Sequence, residues 1–418
     1  MKIAIVGAGI AGLACAYTLT RKHDVMVFEA GQYAGGHANT VDVMDAGRQV
    51  PIDTGFIVFN EPNYPHLCRL FDTLGVASHA SDMSFAVRCE RTGREWNGSS
   101  LNQVFAQRRN LLRPSHWKML ADIMRFNREA PELVKTLDDS VSVSQWIARQ
   151  RYSRAFADYY LLPLGASLWS CSAKQFSDFP MCFVLEFLNN HRMLQVEERP
   201  QWRTVTGGSR EYVKRIVAPF KDKLYLNAPV SCVRRLAVGV ELVVAGGSPQ
   251  RYDEVIFACH ADQALSVLAE PDDDEREVLG CFPYQRNIAV LHKDTSVLPT
   301  RRRAWASWNF SIPSDVCEEV NVTYNMNLLQ KLDTESTWSV SLNPGQRIAP
   351  ELEARRFHYE HPMFTAGRAQ AQARHAELVR RRGISYCGAY WGFGFHEDGA
   401  RSAMSVCDAF DLALERAA

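Results

Sequence analysis

The feature that most constrains this chain stands at its start. Lys2-Ile3-Ala4-Ile5-Val6 is a short apolar run of strand formers, and Gly7-Ala8-Gly9-Ile10-Ala11-Gly12 follows at once. Residues 13–19 read as a helix, with small Ala14 and Ala16 suited to close packing. A second apolar run, Val25-Met26-Val27-Phe28, ends at Glu29. Strand, glycine turn, helix, strand and acid in that order describe a dinucleotide-binding unit. The first glycine permits the tight turn, the second lets backbone approach a pyrophosphate, and the third lets the helix pack on its strand. The helix N-terminus then offers free N–H groups and a favourable dipole to an anion. Glu29 lies 22 residues after Gly7, where an acid accepts a ribose hydroxyl. Without these flanks the glycines would be an ordinary turn; with them, the bland alternative is a purely structural βαβ unit. Gly7, Ala8, Gly9, Ala11, Gly12, Glu29 and Ala30 are the expected cofactor contacts of this stretch.

With 418 residues the chain can bury a large core and favours two or more domains. A formal net charge of zero gives no reason to expect nucleic acid as a partner. Beyond residues 3–19, which the dinucleotide pattern explains, no run approaches the ~20 apolar residues of a spanning helix. Cytoplasmic location is the expectation. The eleven cysteines show no C-x-x-C and no zinc spacing, so they read as small buried hydrophobes, and no metal site is expected.

A second glycine pair, Gly35-Gly36, follows the acid and precedes His37. NAD does not need it, whereas a longer cofactor running past the pyrophosphate would want backbone pressed against its ribityl chain. Residues 50–56 form a strand entering a turn at Asp53-Thr54-Gly55-Phe56, residues 63–74 a helix closed by Gly75, and residues 85–96 a hairpin. Between 100 and 200 glycines become scarce and helical periods take over, at 117–126, 130–137, 143–149 and 156–162. In this helical insertion Arg108, Arg109, Arg113, Lys118, Arg125 and Arg128 interleave with Leu111, Leu112, Trp117, Leu120, Ile123 and Phe126. That pattern reads first as a solvated helix face and second as a membrane-surface face, with peripheral contact at the inner membrane. The α/β pattern resumes at Thr206-Gly207-Gly208-Ser209 with a helix over 210–218, strands at 230–233 and 240–244, and a buried strand over 252–258. Residues 284–345 are strand-rich and aromatic. Residues 384–388 form a strand, 389–396 a glycine–aromatic loop, and Glu397-Asp398-Gly399 opens a last helix running to 414.

These motifs together resemble the flavin-dependent amine oxidase and phytoene-desaturase superfamily, which shares the FAD fold of glutathione reductase-like proteins. The matching pieces are G-A-G-I-A-G-L with Glu29, Gly35-Gly36, Asp53-Thr54-Gly55, Thr206-Gly207-Gly208-Ser209, the strand at Val230, Val255-Ile256-Phe257-Ala258, and Gly388 through Ser402. Within the superfamily, GGHANT, RRRAWASWNF, TYNMN and GAYWGFGFHEDGARSA are similar to bacterial NAD/FAD-binding proteins often encoded beside cyclopropane fatty acid synthases. The resemblance implies an α/β chain with a Rossmann-type FAD-binding domain over 1–75, 204–280 and 381–418. An interleaved α+β substrate domain takes 76–203 and 281–380. It implies non-covalent FAD held by the residues above and by Gly35, Gly36, His37, Thr54, Gly55, Phe56, Val230, Gly388, Glu397, Asp398 and Gly399. Free N–H groups at Gly399 and Ala400 would then face the pyrimidine end of the flavin and raise its reduction potential. The chain departs from the family at His37, where arginine is usual. It also departs in lacking a placeable lysine near flavin N5; Lys293 matches poorly.

The resulting expectation is an FAD-dependent dehydrogenase or desaturase, passing hydride from a hydrophobic lipid or fatty acyl substrate to flavin N5. Such chemistry needs position and a dry aromatic site more than an acid–base pair. Tyr390, Trp391, Phe393 and Phe395 would wall the flavin, and Trp305, Trp308 and Tyr324 the substrate. His396 and Tyr324 are the candidate proton-handling groups. The alternatives are flavin amine oxidation, flavin-dependent isomerisation of a lipid double bond, and an FAD-bearing partner that assists a lipid methyltransferase without turning over.

Overall fold

A computed structural model of the 418-residue chain describes all residues except 135, 196–198, 315–319, 366 and 415–418. A five-stranded parallel sheet runs in the order Ile384–Tyr386, Glu254–Phe257, Lys2–Val6, Asp24–Phe28 and Leu224–Tyr225. Its period of two divides two cores. Ile3, Ile5, Val25 and Val27 face the helices Ile10–Leu19 and His396–Asp408. Ala4, Val6, Phe28, Val255 and Phe257 face a small antiparallel sheet made from Val230–Arg235, Val240–Val244 and Gln250–Tyr252. Strands two hundred and more residues apart therefore close the sheet around the opening strand.

The second sheet has seven strands, in the order Glu353–Pro362, Tyr284–His292, Ser339–Leu342, Val322–Asn325, Trp308–Ile312, Phe85–Cys89 and Arg94–Asn97. One pair in it, Trp308–Ile312 with Phe85–Cys89, is parallel. Val41, Val43 and Ile52 of the hairpin Thr40–Asp45/Arg48–Asp53 join the core beneath this sheet. The hairpin is thus the bridge between the two halves.

Several elements differ from expectation for local reasons. The helices expected at 117–126 and 130–137 are one helix, Pro114–Leu133, with Pro131 in its last turn; Lys135 lies outside the described residues. The expected helix at 156–162 is a short turn at Arg154–Phe156, a π-helical segment Ala157–Leu161 and the helix Leu162–Trp169. The last helix stops at Asp408 rather than running to 414. The Leu412 N–H returns to the Cys407 carbonyl and Asp411 adopts φ 54°, so Phe410, Leu412 and Leu414 reach the core as a folded-back tail.

Candidate functional site

A cavity of about 890 Å³ runs from the C-terminal edge of the parallel sheet to the seven-stranded sheet. One end is built by the opening unit. Gly7, with φ +104°, turns the chain, and the first helix starts at Gly9 with no side-chain cap, leaving its first N–H groups at the cavity wall. A Cβ on Gly9 would meet no protein atom within 4 Å, whereas one on Gly12 would stand 2.0 Å from the Gly7 carbonyl oxygen. Gly12 is explained by packing. Gly9 is not, and its missing side chain leaves room for something outside the protein. Ala8 and Gly31 donate their N–H groups to the Glu29 carboxylate at 2.7 and 2.8 Å, which orients it at the cavity edge. Ala11, Ala30, Gly35, Gly36, His37, Thr54, Gly55, Phe56, Val230 and Gly388 also line the cavity.

Two distant motifs are tied together behind this wall. The buried Asp53 carboxylate accepts hydrogen bonds from Thr40 Oγ1 (2.6 Å), Ser209 N (2.9 Å), Ser209 Oγ (2.7 Å) and Gln330 Nε2 (3.2 Å). The Asp53-Thr54-Gly55 turn and the Gly207-Gly208-Ser209 loop are thus one junction. Burial lifts the Asp53 carboxyl to about 6, against the donors that favour its ionised form.

The other end of the cavity is apolar. Leu168, Trp169, Phe187, Trp308, Tyr324 and Phe393 line it, and the three charged side chains of the cavity lining all lie elsewhere. Glu29 is at the dinucleotide end, and Arg286 and Glu360 pair with each other at 3.0 Å. Trp308 and Tyr324 meet edge to face, 5.0 Å between centroids.

Not every expected site residue is here. Ala8 and Gly12 lie behind the wall. The Trp305 indole donates to the Pro299 carbonyl, and Trp391 stacks on His375 within the core; neither lines the cavity. Glu397 faces away and accepts from the His66 and Leu67 N–H groups and from His66 Nδ1, capping the helix Pro65–Leu74. Asp398 accepts from the Phe395 N–H and pairs with Arg401 at 2.9 Å. The Gly399 N–H is taken by the Phe395 carbonyl, and its absent side chain serves close contact with Ile10. Of the first residues of the last helix, His396 is the one that lines the cavity.

With the geometry in view, the comparisons with known proteins decide the family. The flavin containing amine oxidoreductase family matches residues 10–292, more than half of the chain. The chain belongs to this family. A Mycobacterium tuberculosis protein named as a flavin-containing monoamine oxidase, AofH, is 25% identical over 269 residues, 59% of this chain and 54% of that protein. The chain thus spans about half the length of the curated relatives it matches. Cyclohexylamine oxidase from Brevibacterium oxydans IH-35A shares the fold with a TM-score of 0.71 at 16% identity, over 98% of this chain and 99% of that one. A CLA-producing fatty acid isomerase from P. acnes does so with a TM-score of 0.68 at 16% identity, over 98% of each chain.

Membership of a flavin-containing family asks whether these residues fit a flavin nucleotide. They do, on two counts: the Gly9 cradle, and a buried His37 Nε2 that has no hydrogen-bond partner in the protein. Sequence reading singled out His37 but missed the strand that frames it. Its ring stacks on Tyr359 at 4.9 Å and lies 5.1 Å from His361. Phe357, Tyr359 and His361 alternate along Glu353–Pro362, and that period was the available signal. Phe187, on the helix Met181–Asn190, lines the cavity and stacks on the C-cap His191, a helical spacing that was likewise legible.

The His361 tautomer is fixed by its neighbours. The Ile288 N–H donates to Asn343 Oδ1, Asn343 Nδ2 donates to Asn287 Oδ1, and Asn287 Nδ2 donates to the Ser170 carbonyl and to His361 Nδ1 at 2.9 Å. His361 Nδ1 is therefore an acceptor, and the neutral ring carries its proton on Nε2.

Burial holds these rings neutral: His37 falls to about 4, His396 to about 3 and His361 well below its ordinary value. The His396 ring stacks on Phe56 at 3.8 Å and its Nε2 lies 3.3 Å from the Tyr212 hydroxyl. Burial also raises the Tyr324 phenol, so it can donate a hydrogen bond but not serve as a base at neutral pH. A histidine depressed on folding contributes stability above its unfolded value near 6.5, lost as pH falls through the folded value. His116, His191 and His292, each near 4, add to this, while Asp53 and Asp398, both raised to about 6, oppose it. The histidines outnumber the carboxylates, so the apoprotein melting temperature should fall between pH 7.5 and pH 5. A calorimetric melting temperature that is flat or rises over that range would contradict the neutral histidines.

Proposed function

We propose that the protein is an FAD-dependent oxidoreductase acting on a hydrophobic substrate, an acyl chain of a lipid or fatty acid, as a dehydrogenase or desaturase. FAD sits non-covalently along the cavity, with its dinucleotide half at Gly7, Gly9, Ala11 and Glu29. The observation that carries the reading is the apolar end of the cavity, which presents aromatic and aliphatic walls and no carboxylate. Bound there, FAD supplies the two-electron acceptor. The protein's part is to exclude water and to position: Trp308, Tyr324, Phe187 and Phe393 hold an apolar chain, and the neutral His361 Nε2–H and Tyr324 Oη–H offer donors to an uncharged or anionic acceptor group.

Oxidation of an amine is the second reading, favoured by the family description and by the names of the relatives. Against it stands the cost of placing an ammonium among apolar walls with no counter-ion. Anaerobic mixing of the flavin-loaded protein with phospholipid, free fatty acid, polyamine, NADH and NADPH separates the two. Bleaching of the flavin by the acyl compounds supports the first reading, and bleaching by polyamine alone replaces it with the second. No bleaching, combined with stimulation of a co-added lipid methyltransferase, would point to an auxiliary role instead.

A further inference from the structure

The face of the molecule around the helix Pro114–Leu133 carries features that the cavity does not use. Of the twelve exposed large apolar side chains among the described residues, five lie between positions 101 and 124: Leu101, Leu111, Leu112, Trp117 and Met124. Chance scatter over the surface would not gather them. Trp117, Ala121, Met124 and Arg128 share one exposed helical stripe, at spacings of four, three and four, opposite the buried Met119, Asp122, Phe126 and Ala130. Leu111 and Leu112 stand on the turn just before the helix, Leu112 with 86% of its surface exposed. This turn is held in place. The Trp117 indole N–H donates to the Leu111 carbonyl at 2.9 Å, and its ring lies 5.1 Å from Phe105.

The cations around these side chains come from two distant segments. Arg108, Arg109, Arg113 and Lys118 belong to the turn and helix themselves. Arg301, Arg302 and Arg303, all exposed, arrive from nearly two hundred residues further on, because the turn Arg302–Ala304 packs against Leu101–Val104. Arg108, Arg109, Thr300 and Arg301 line one groove with Glu90 and Glu95, where the Glu95 carboxylate accepts the Thr300 and Arg301 backbone N–H groups. Residues 96–121 and 295–314 contain no aspartate or glutamate. Lys118 has a carboxylate neighbour, Asp122 at 3.4 Å. No ion pair links Arg108, Arg109, Arg113, Arg301, Arg302 or Arg303 to a carboxylate among the described residues; Arg108 and Arg113 bond side-chain amides and Arg109 a backbone carbonyl.

We propose that this surface docks the protein on an anionic lipid bilayer. Leu111, Leu112 and Trp117 enter the headgroup–acyl boundary, and the surrounding arginines lie over lipid phosphates. A soluble polyanion would satisfy the arginines and leave the leucines and the indole in water, whereas a bilayer interface takes both. No helix among the described residues is long and apolar enough to cross a membrane, so the contact is peripheral. The inference does not rest on the substrate reading, because its readout is binding.

Co-sedimentation of the flavin-loaded protein with vesicles tests it. Vesicles of phosphatidylglycerol and phosphatidylcholine should bind the protein, and phosphatidylcholine alone should not. Leu112→Glu should weaken the partition by about tenfold. The double change Arg302→Glu and Arg303→Glu should weaken it by at least about 25-fold, from about fivefold for each cation at an anionic surface. Neither variant touches the cavity, so unchanged flavin content verifies folding. Brominated lipid should quench tryptophan emission in the native protein and much less in Trp117→Phe. The proposal is overturned if phosphatidylglycerol vesicles do not bind. It is equally overturned if Leu112→Glu binds them as well as the native chain, or if soluble polyglutamate binds as tightly as the vesicles.

Discussion

Replacing Gly9 with leucine is expected to abolish FAD binding while leaving the apoprotein folded. The Cβ would stand at the cavity wall with no protein atom beyond its chain neighbours within 4 Å. The branch point of the new side chain therefore displaces no protein atom, and the dinucleotide loses its approach to the uncapped helix N-terminus. Overpacking of about 3 kcal/mol corresponds to more than about a hundredfold in dissociation constant. Quenching of flavin fluorescence on titration measures it, and thermal unfolding of the apoprotein supplies the control. Gly12→Ala should behave in the opposite way. Its Cβ would collide with the Gly7 carbonyl at 2.0 Å, so the apoprotein itself should be destabilised by several kcal/mol. Equal loss of stability in both variants would remove the distinction between a glycine kept for a ligand and one kept for packing.

Asp53→Ala is expected to be the most damaging substitution outside the hydrophobic cores. It leaves the Ser209 N–H, Ser209 Oγ, Thr40 Oγ1 and Gln330 Nε2 facing an empty space in the interior. Unsatisfied buried donors cost about 1–3 kcal/mol each, so a loss of roughly 3 kcal/mol or more is expected in denaturant melts, with weaker FAD binding as the two loops separate. Asp53→Asn keeps the volume and some of the acceptors and should cost less. Burial raises the native carboxyl to about 6 from an ordinary 3.8, so the folded state holds its proton more tightly than the unfolded one. The Asp53 contribution is then fullest at low pH and shrinks as pH rises through 6. The stability gap between the native chain and Asp53→Asn should therefore narrow from pH 4.5 to pH 8. A gap that widens would mean that hydrogen bonds outweigh desolvation at this site.

The dinucleotide end was legible in the sequence because local rules govern it. A strand, a glycine turn and a helix start lie within about twenty residues, and each glycine has its own steric reason. Glu29 is oriented by Ala8 and Gly31, both near it in the chain. Gly35, Gly36, Thr54 and Gly55 could be singled out for the same reason. The substrate end was less legible because it is assembled across the chain. Trp308 and Tyr324 lie on neighbouring strands and reach the cavity, while Trp305, three residues earlier, turns to the Pro299 carbonyl. Aromatic content could not tell these apart; the register of the seven-stranded sheet does. The partners of Glu397 and Gly399 are also set across the chain. An acid at a helix start reads as a cap and a glycine as room for close approach, but the group capped is the helix Pro65–Leu74 and the close contact is Ile10, both distant in the chain. The tautomer of His361 depends on asparagines 74 and 18 residues away, and no local pattern announces it.

The proposed function requires one non-covalent FAD in the cavity between the two sheets, with its dinucleotide half at the opening glycine turn. Mild acid or heat denaturation of the purified protein, followed by chromatography and mass analysis of the supernatant and the polypeptide, tests it most directly. The expected result is FAD in the supernatant at one molecule per chain and a polypeptide of unmodified mass. Flavin that remains attached to the polypeptide, or a supernatant containing FMN or NAD in place of FAD, would contradict it.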